Sequence, residues 1–589
     1  MRIPYLIPGK TERTMIDAFF GYDRREDSRE GSFRDMKNMT GKKYPCISTR
    51  DKRAIIDISG ETVFDISAMD VYHNGKIRKN AIIADCKNRL KAFYEEDGVF
   101  SAHELFNTSS VLEQKRKKSV VSGTKLYFFP DNVQYDLMNG DVSPLFFHTE
   151  YKLGEHDDGY LYSFEFEPCD ISGEDAGEES PYKRIIRHCY KLTDGTAEDV
   201  PSVTLGFSSS LKAGDTVNIR GLSTAEMNGY YSILEITADR KALVVESPYT
   251  LLQSSGTVTV DREVPEMDFV VAAKNRLWGC RYGIDKYGNC VNEIYASALG
   301  DATNWRRFMG VSTDSWSCSV GASGAFTGAV TIDGNPVFFK EDAIIKVFGD
   351  HPSEFTVTET CQRGIESGSD RSAVFVHDEL YYKTYSGIVR YDGGIPVNVD
   401  GPLGREKYKN AVAGTVDDRY FISMEDRKGN RVLFVYDTVR RLWHKEDDKN
   451  IVSFARSGGN LYFLTNEAAS CSLFSVQEQE GHEGERDFLW MCESSSFGYG
   501  SPDRKYVEAV QVRLSCEDST QVEAFIEYDG DGVWHRIGSI CGICGSKLMR
   551  IRPERCDTFR LRFEGVGDCT IRSVTKTMKH SSKKNTSRG

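Results

Sequence analysis

The sequence predicts an all-β chain: an irregular β-propeller that carries an inserted small β-barrel or sandwich and ends in a β-sandwich. Three observations predict it. A hairpin unit of Leu, Tyr, Phe and Val recurs along the chain, period-2 alternation takes over in two regions where the recurrence stops, and 52 glycines stand against 16 prolines, a balance that suits tight turns.

In residues 1–150, an N-terminal segment and the first blades, the unit is loose at Ala81–Ala84 with Leu90–Phe93 and clear at Gly123–Phe129 with Tyr135 and Asp136. In residues 266–485, the remaining blades, it returns at Asn275–Trp278 with Glu293–Ser297 and at Asn335–Phe339 with Ala343–Phe348. Further copies are Asp378–Tyr382 with Gly387–Asp392, Arg419–Ser423 with Val432–Asp437, and Asn460–Leu464 with Ser472–Ser475. About seven copies at a spacing of roughly 40 residues read as propeller blades, each burying its faces against its neighbours. The competing reading is a set of unrelated hairpins in several sandwiches; the recurrence of Leu-Tyr-Phe followed by Tyr-Asp decides for the propeller.

Residues 151–265 break the recurrence. An acidic stretch, Asp170–Glu179, precedes short alternating strands at Lys212–Arg220, Gly229–Leu234, Ala242–Glu246 and Gly256–Val260, which predict a small β domain inserted into a propeller loop. Residues 486–579 alternate in longer strands, Ala509–Leu514, Gln521–Ile526, Phe559–Phe563 and Thr570–Val574, with Tyr528–Gly532 as a hairpin turn, and predict the sandwich. Residues 580–589, mostly Ser, Lys, Asn and Arg, predict a disordered basic tail.

Charge and composition narrow the function. The net charge of −13 argues against a protein that wraps DNA by neutralising phosphates. The longest apolar runs, such as Phe269–Ala273, are far shorter than the roughly twenty residues of a membrane span, and no secretory signal is visible, so a soluble chain with no membrane contact is expected. Fifteen cysteines, an odd number without regular spacing, predict reduced thiols.

A search for chemistry predicts no catalytic residue, no metal and no cofactor. Cys541 and Cys544 form the single CxxC and lack a second ligand pair. Asp529–Gly532 resembles the start of a calcium loop, but Ile540 stands where the closing acidic ligand belongs, so a turn is expected. His188 and Cys189 are neighbours on a predicted strand and point to opposite faces. A glycosidase needs two facing carboxylates, and sequence alone cannot choose them from 88 acidic residues. The basic cluster Lys115, Arg116, Lys117 and Lys118 is either a solvated face or a contact for DNA or an acidic partner.

Two passages resemble a known family. Asp17–Arg25 running through Gly31–Met39 to Tyr44–Arg50 looks like the opening of phage and prophage stabilization proteins. The second passage, Asn275, Arg276, Leu277, Trp278 and then Tyr295, Gly300, Asp301, Asn304 and Trp305, is similar to a passage of podophage tail nozzle and packaged-DNA stabilization proteins. The resemblance implies a structural virion protein of the tail or neck, assembled in the host cytoplasm. It would be a ring, six-fold in the nozzles, meeting adaptor or portal proteins and tail fibres, with genomic duplex DNA in its lumen. It further implies that this ring retains the packaged genome and is not an enzyme. The alternative is a carbohydrate-binding or carbohydrate-cleaving propeller at a tail tip.

Overall fold

The computed structural model describes residues 11–580 apart from 57, 59–61, 74, 87–88, 97–98, 108–117, 157–158, 192–202, 468–469, 478–482, 501–503, 518, 542–544 and 553. Of the predicted tail, residues 580–589, His580 instead ends the strand Cys569–His580, where it pairs with Lys505, and residues 581–589 lie outside the described residues. Among them there is no α-helix, and none that is long and apolar enough to cross a membrane; strands and three short 3-10 turns make up the regular structure. The fold is an irregular β-propeller built from many small antiparallel sheets. The chain divides into two compact units: residues 1–71, 76–107 and 362–589 form one, and residues 72–75 and 108–361 the other.

The first unit holds a β-sandwich and four blade-type sheets. The blades are the sheets starting at Val63–His73, Val374–Val376, Lys409–Val416 and Ile451–Ser457. Their inner strands are buried on both faces, as in Arg419–Glu425, where Tyr420 to Met424 are all covered. Such strands read as continuous apolar runs, which is why the hairpin unit was visible in the sequence. Strand Ala54–Ile56 adds to the blade of Ile451–Ser475 by pairing with Ser470–Ser475, so a strand from early in the chain completes a blade from late in it.

The sandwich has one sheet around Lys505–Cys516 and Cys569–His580 and a second around Leu489–Ser494, Phe559–Val566 and Gln521–Tyr528. Its strands alternate buried and partly buried positions, as in Phe559–Val566, and Trp490, Leu561, Phe563, Val510, Val512 and Ile571 share one core. The sequence reading assigned residues 1–150 to a leading segment and blades. The structure differs: Thr11–Ile16 and Ile47–Thr49 pair with Cys569–His580, and Phe33–Lys37 pairs with Leu489–Ser494. The reason is that these short strands join the sandwich through partners more than 400 residues away, which local periodicity cannot show.

The second unit holds three blade-type sheets, starting at Lys118–Ser122, Phe269–Ala273 and Phe326–Ile332, and the inserted domain between the first two. Within the insertion the pairings return on themselves, since Tyr160–Cys169 pairs with both Tyr182–Lys191 and Phe147–Glu155, and the result is a small closed barrel. Phe164, Phe166, Ile185, Val217, Ile233, Leu243 and Val258 fill it.

Candidate functional site

A cleft in the first unit brings arginines, carboxylates and tyrosines together around about 300 Å³. Its floor is set by a tight approach of backbone to backbone. Gly21 has φ +69°, and a Cβ there would stand 2.2 Å from the Trp443 carbonyl oxygen, so only glycine fits. Tyr22 N–H then donates to that oxygen at 2.6 Å and Arg24 N–H to the Pro402 oxygen at 2.9 Å. The rings of Tyr22 and Tyr408 both meet Phe434 edge-on, with centroids 5.5 Å apart in each case. Burial pushes both tyrosine hydroxyls up, so they stay protonated.

One wall comes from the sandwich. Register shifts between Phe33 and Asp35, and this bulge leaves Arg34 exposed and sets Asp35 directly opposite Glu493 on the neighbouring strand. Two carboxylates facing each other across a strand pair repel unless something separates their charge states. Here Lys445 Nζ forms an ion pair with Asp35, 2.8 Å from its Oδ1. Burial pushes the Glu493 carboxyl up, and Asp35 adds to that, while the Arg560 guanidinium, shared with Glu527, opposes it. The two carboxyls thus stand in unlike surroundings, Asp35 paired with Lys445 and Glu493 half-buried against Arg560.

The opposite wall comes from the blade region. Arg24 Nη1 donates to Glu406 Oε2 at 2.5 Å, and Tyr408 Oη donates to the same oxygen at 3.3 Å. Asp426 caps its own hairpin by accepting from Lys428 N–H at 2.8 Å and Asn430 N–H at 2.9 Å, and these hydrogen bonds hold its carboxyl below its usual range. Cationic donors, carboxylate acceptors and tyrosines thus converge on one space large enough for a small ligand.

None of these residues was singled out from sequence spacing. The signal was nevertheless present: Tyr22, Arg24, Arg34 and Asp35 all lie in the first resembling passage.

The second passage has a different place, in the other unit. Asn275 forms the left-handed turn, φ 57°, between Phe269–Ala273 and Arg276–Ile284, and its carbonyl accepts from Gly300 N–H at 2.8 Å. Arg276 is buried, with Nη1 donating to the Ser297 and Asp314 carbonyls and Nη2 to that of Ser312. Leu277 and Trp278 are buried, and Trp278 Nε1 donates to the Ala273 oxygen at 3.1 Å. Tyr295 is half-buried. Asp301 Oδ1 accepts from Thr303, Trp305 Nε1 donates to the Ala302 oxygen at 2.8 Å, and Asn304 Nδ2 donates to the Gly214 oxygen at 2.8 Å. Asn304 therefore ties the blade to the inserted barrel, beside the buried Arg262–Asp215 ion pair.

Lys115, Arg116 and Lys117 lie outside the described residues. Lys118 is turned onto the next blade: Nζ donates to the Asp268 oxygen at 2.7 Å and sits 3.1 Å from the Phe269 ring centroid. Asp529 caps a turn by accepting from the Asp557 and Thr558 N–H groups. Cys541 is exposed, while Cys544 lies outside the described residues. On the barrel, Glu165, Glu167 and His188 bring three ligand atoms within 4.8 Å of one another, but Arg184 occupies Glu167 with two nitrogens on one oxygen, at 2.9 and 2.8 Å.

No protein-family model matches the chain, and no curated protein does. Solved structures that resemble it include Raptor of Chaetomium thermophilum, at 10% identity and TM-score 0.29, covering 73% of this chain and 30% of that one; this chain thus spans under a third of Raptor's length. The phage phi92 endosialidase matches at 12% identity and TM-score 0.25, over 89% of this chain and 80% of that one. A Trypanosoma rangeli sialidase matches at 10% identity and TM-score 0.24, over 96% and 95%. Likeness at this level assigns no activity. It does correct one expectation: with an endosialidase, a sialidase and family 43 glycoside hydrolases among the matches, the exclusion of an enzyme does not stand. The exclusion rested on missing linear motifs, and a propeller assembles its site from distant blades, so spacing along the chain leaves no trace of it.

Proposed function

We propose that this chain is a carbohydrate-binding β-propeller whose cleft takes a sugar unit and places Asp35 and Glu493 as base and acid toward a glycosidic bond. The observation that carries the reading is that pair: two carboxyls opposed across adjacent strands in a cleft, Asp35 beside the Lys445 ammonium and Glu493 pushed up by burial. Arg24, Arg34 and Lys445 supply donors for hydroxyl or carboxylate groups of the sugar, and Glu406 and Asp426 supply acceptors. The test is a glycan array followed by a turnover assay on whatever binds. Glu493→Gln should retain binding and abolish turnover, and Asp35→Asn should do the same. A folded full-length chain that binds no glycan refutes the reading.

A second reading is the virion ring that the two resembling passages imply, retaining packaged DNA by geometry. What supports it is that the matched residues make specific joints: Gly21 under Trp443, and Asn304 against Gly214. Light scattering separates it from a monomeric lectin or hydrolase, since six copies of 66.3 kDa give about 0.4 MDa.

A further inference from the structure

Two of the described cysteines, Cys516 and Cys569, lie side by side as free thiols. Cys516 ends strand Lys505–Cys516, Cys569 begins strand Cys569–His580, and the two are direct partners in the antiparallel ladder. Their Sγ atoms are 3.4 Å apart. Directly opposed residues of an antiparallel pair have Cα atoms about 4.5–5.5 Å apart, inside the range of about 4.4–6.8 Å that a disulfide spans, so a bond there needs side-chain rotation and no movement of backbone. The surroundings hold the pair in place. Thr49 Oγ1 accepts from Cys569 N–H at 3.3 Å, and Thr520 Oγ1 donates to the Asp568 oxygen at 2.9 Å.

The two thiols also differ in a way that orders the chemistry. Cys516 is half-buried and reachable from solvent, whereas Cys569 is buried. The contact between the two thiols holds Cys516 below its usual range and, with burial, pushes Cys569 up.

We propose that Cys516 and Cys569 are a thiol–disulfide exchange site that takes a low-molecular-weight disulfide such as oxidised glutathione and closes a cross-strand staple in the sandwich. The Cys516 thiolate attacks one glutathione sulfur, forming a mixed disulfide and releasing one glutathione thiolate, which takes up the Cys516 proton. The Cys569 sulfur then attacks Cys516 and displaces the second glutathione, which carries away the Cys569 proton. Two protein thiols become one disulfide, and one glutathione disulfide becomes two thiols. No further oxidant is required.

The experiment incubates the full chain with oxidised glutathione, blocks remaining thiols, and maps tryptic peptides without reduction. Each cysteine sits alone in its peptide, Leu514–Arg536 and Phe563–Arg572. The expected product is those two peptides linked, at least about tenfold more abundant than from the chain oxidised in urea, because the fold fixes the effective concentration of the pair. Cys569→Ser should stop at a stable glutathione adduct on Cys516, and Cys516→Ser should leave Cys569 unmodified. The proposal is overturned if the linked peptide is absent while the exposed Cys290, Cys361 and Cys541 are glutathionylated, or if folded and urea-treated chains give it equally.

Discussion

Replacing Trp305 by alanine tests what the second resembling passage is for. Trp305 is 2% exposed and packs with Tyr127, Phe129, Leu145, Val270, Leu277 and Ala302, in the seam where two blades meet the residues leading into the barrel. Truncating a large buried aromatic costs about 3–5 kcal/mol, through lost burial and the cavity left behind. The indole also donates to the Ala302 oxygen, and losing that bond places the cost toward the upper part of the range. In a cooperative unit of about 150–250 residues each kcal/mol lowers Tm by about 2–4 °C, so a drop of roughly 6–20 °C is expected. Scanning calorimetry on the intact chain reads it, with Trp305→Phe as the milder variant. A Tm unchanged to within a degree, together with altered ligand binding or genome retention, would show that Trp305 serves as a contact and that the packing argument is wrong.

Other outcomes follow from single positions. Arg276→Met should cost about 3 kcal/mol or more, measured by urea unfolding, because it strands the buried Ser297 and Asp314 carbonyls that the guanidinium now satisfies. Gly21→Ala should destabilise by more than about 2 kcal/mol and erase the cleft, since it combines positive φ with a clash on backbone; retained glycan binding at wild-type Tm would contradict it. Burial pushes His444 down to about 4, from an ordinary value of 6.5. Between these pH values the unfolded chain takes a proton that the folded one refuses. Stability should therefore be unaffected by His444 above about pH 6.5 and should fall by about 3 kcal/mol on acidification to pH 4, and His444→Gln should remove that part of the slope.

How much of this was legible in the sequence depended on distance along the chain. Each blade's inner hairpin is local, and its doubly covered strands spell apolar runs such as Leu126–Phe129 and Tyr420–Ile422, so the recurrence could be read directly. Sandwich strands such as Phe559–Val566 announced themselves by alternation. What could not be read was pairing across hundreds of residues: Ile55 opposite Phe474, or Asp35 opposite Glu493. The cleft depends on that second pairing. Neither carboxylate is unusual among its neighbours in sequence, and their opposition exists only once a bulge and a register have been set.

The strand order also dictates a timetable for synthesis. Residues 11–107 emerge first, yet their unit resumes only at residue 362, and Thr11–Ile16 waits for Cys569–His580, roughly 550 residues later. At about 5–20 residues per second, the leading strands wait about half a minute to two minutes for their partners, while the whole of residues 108–361 emerges in between. Throughout that interval Thr11–Ile16, Phe33–Lys37 and Ala54–Ile56 lack the strands they pair with, and open edges of this kind join other nascent chains. Production should therefore be limited by chaperone capacity and by translation rate more than by the stability of the finished molecule.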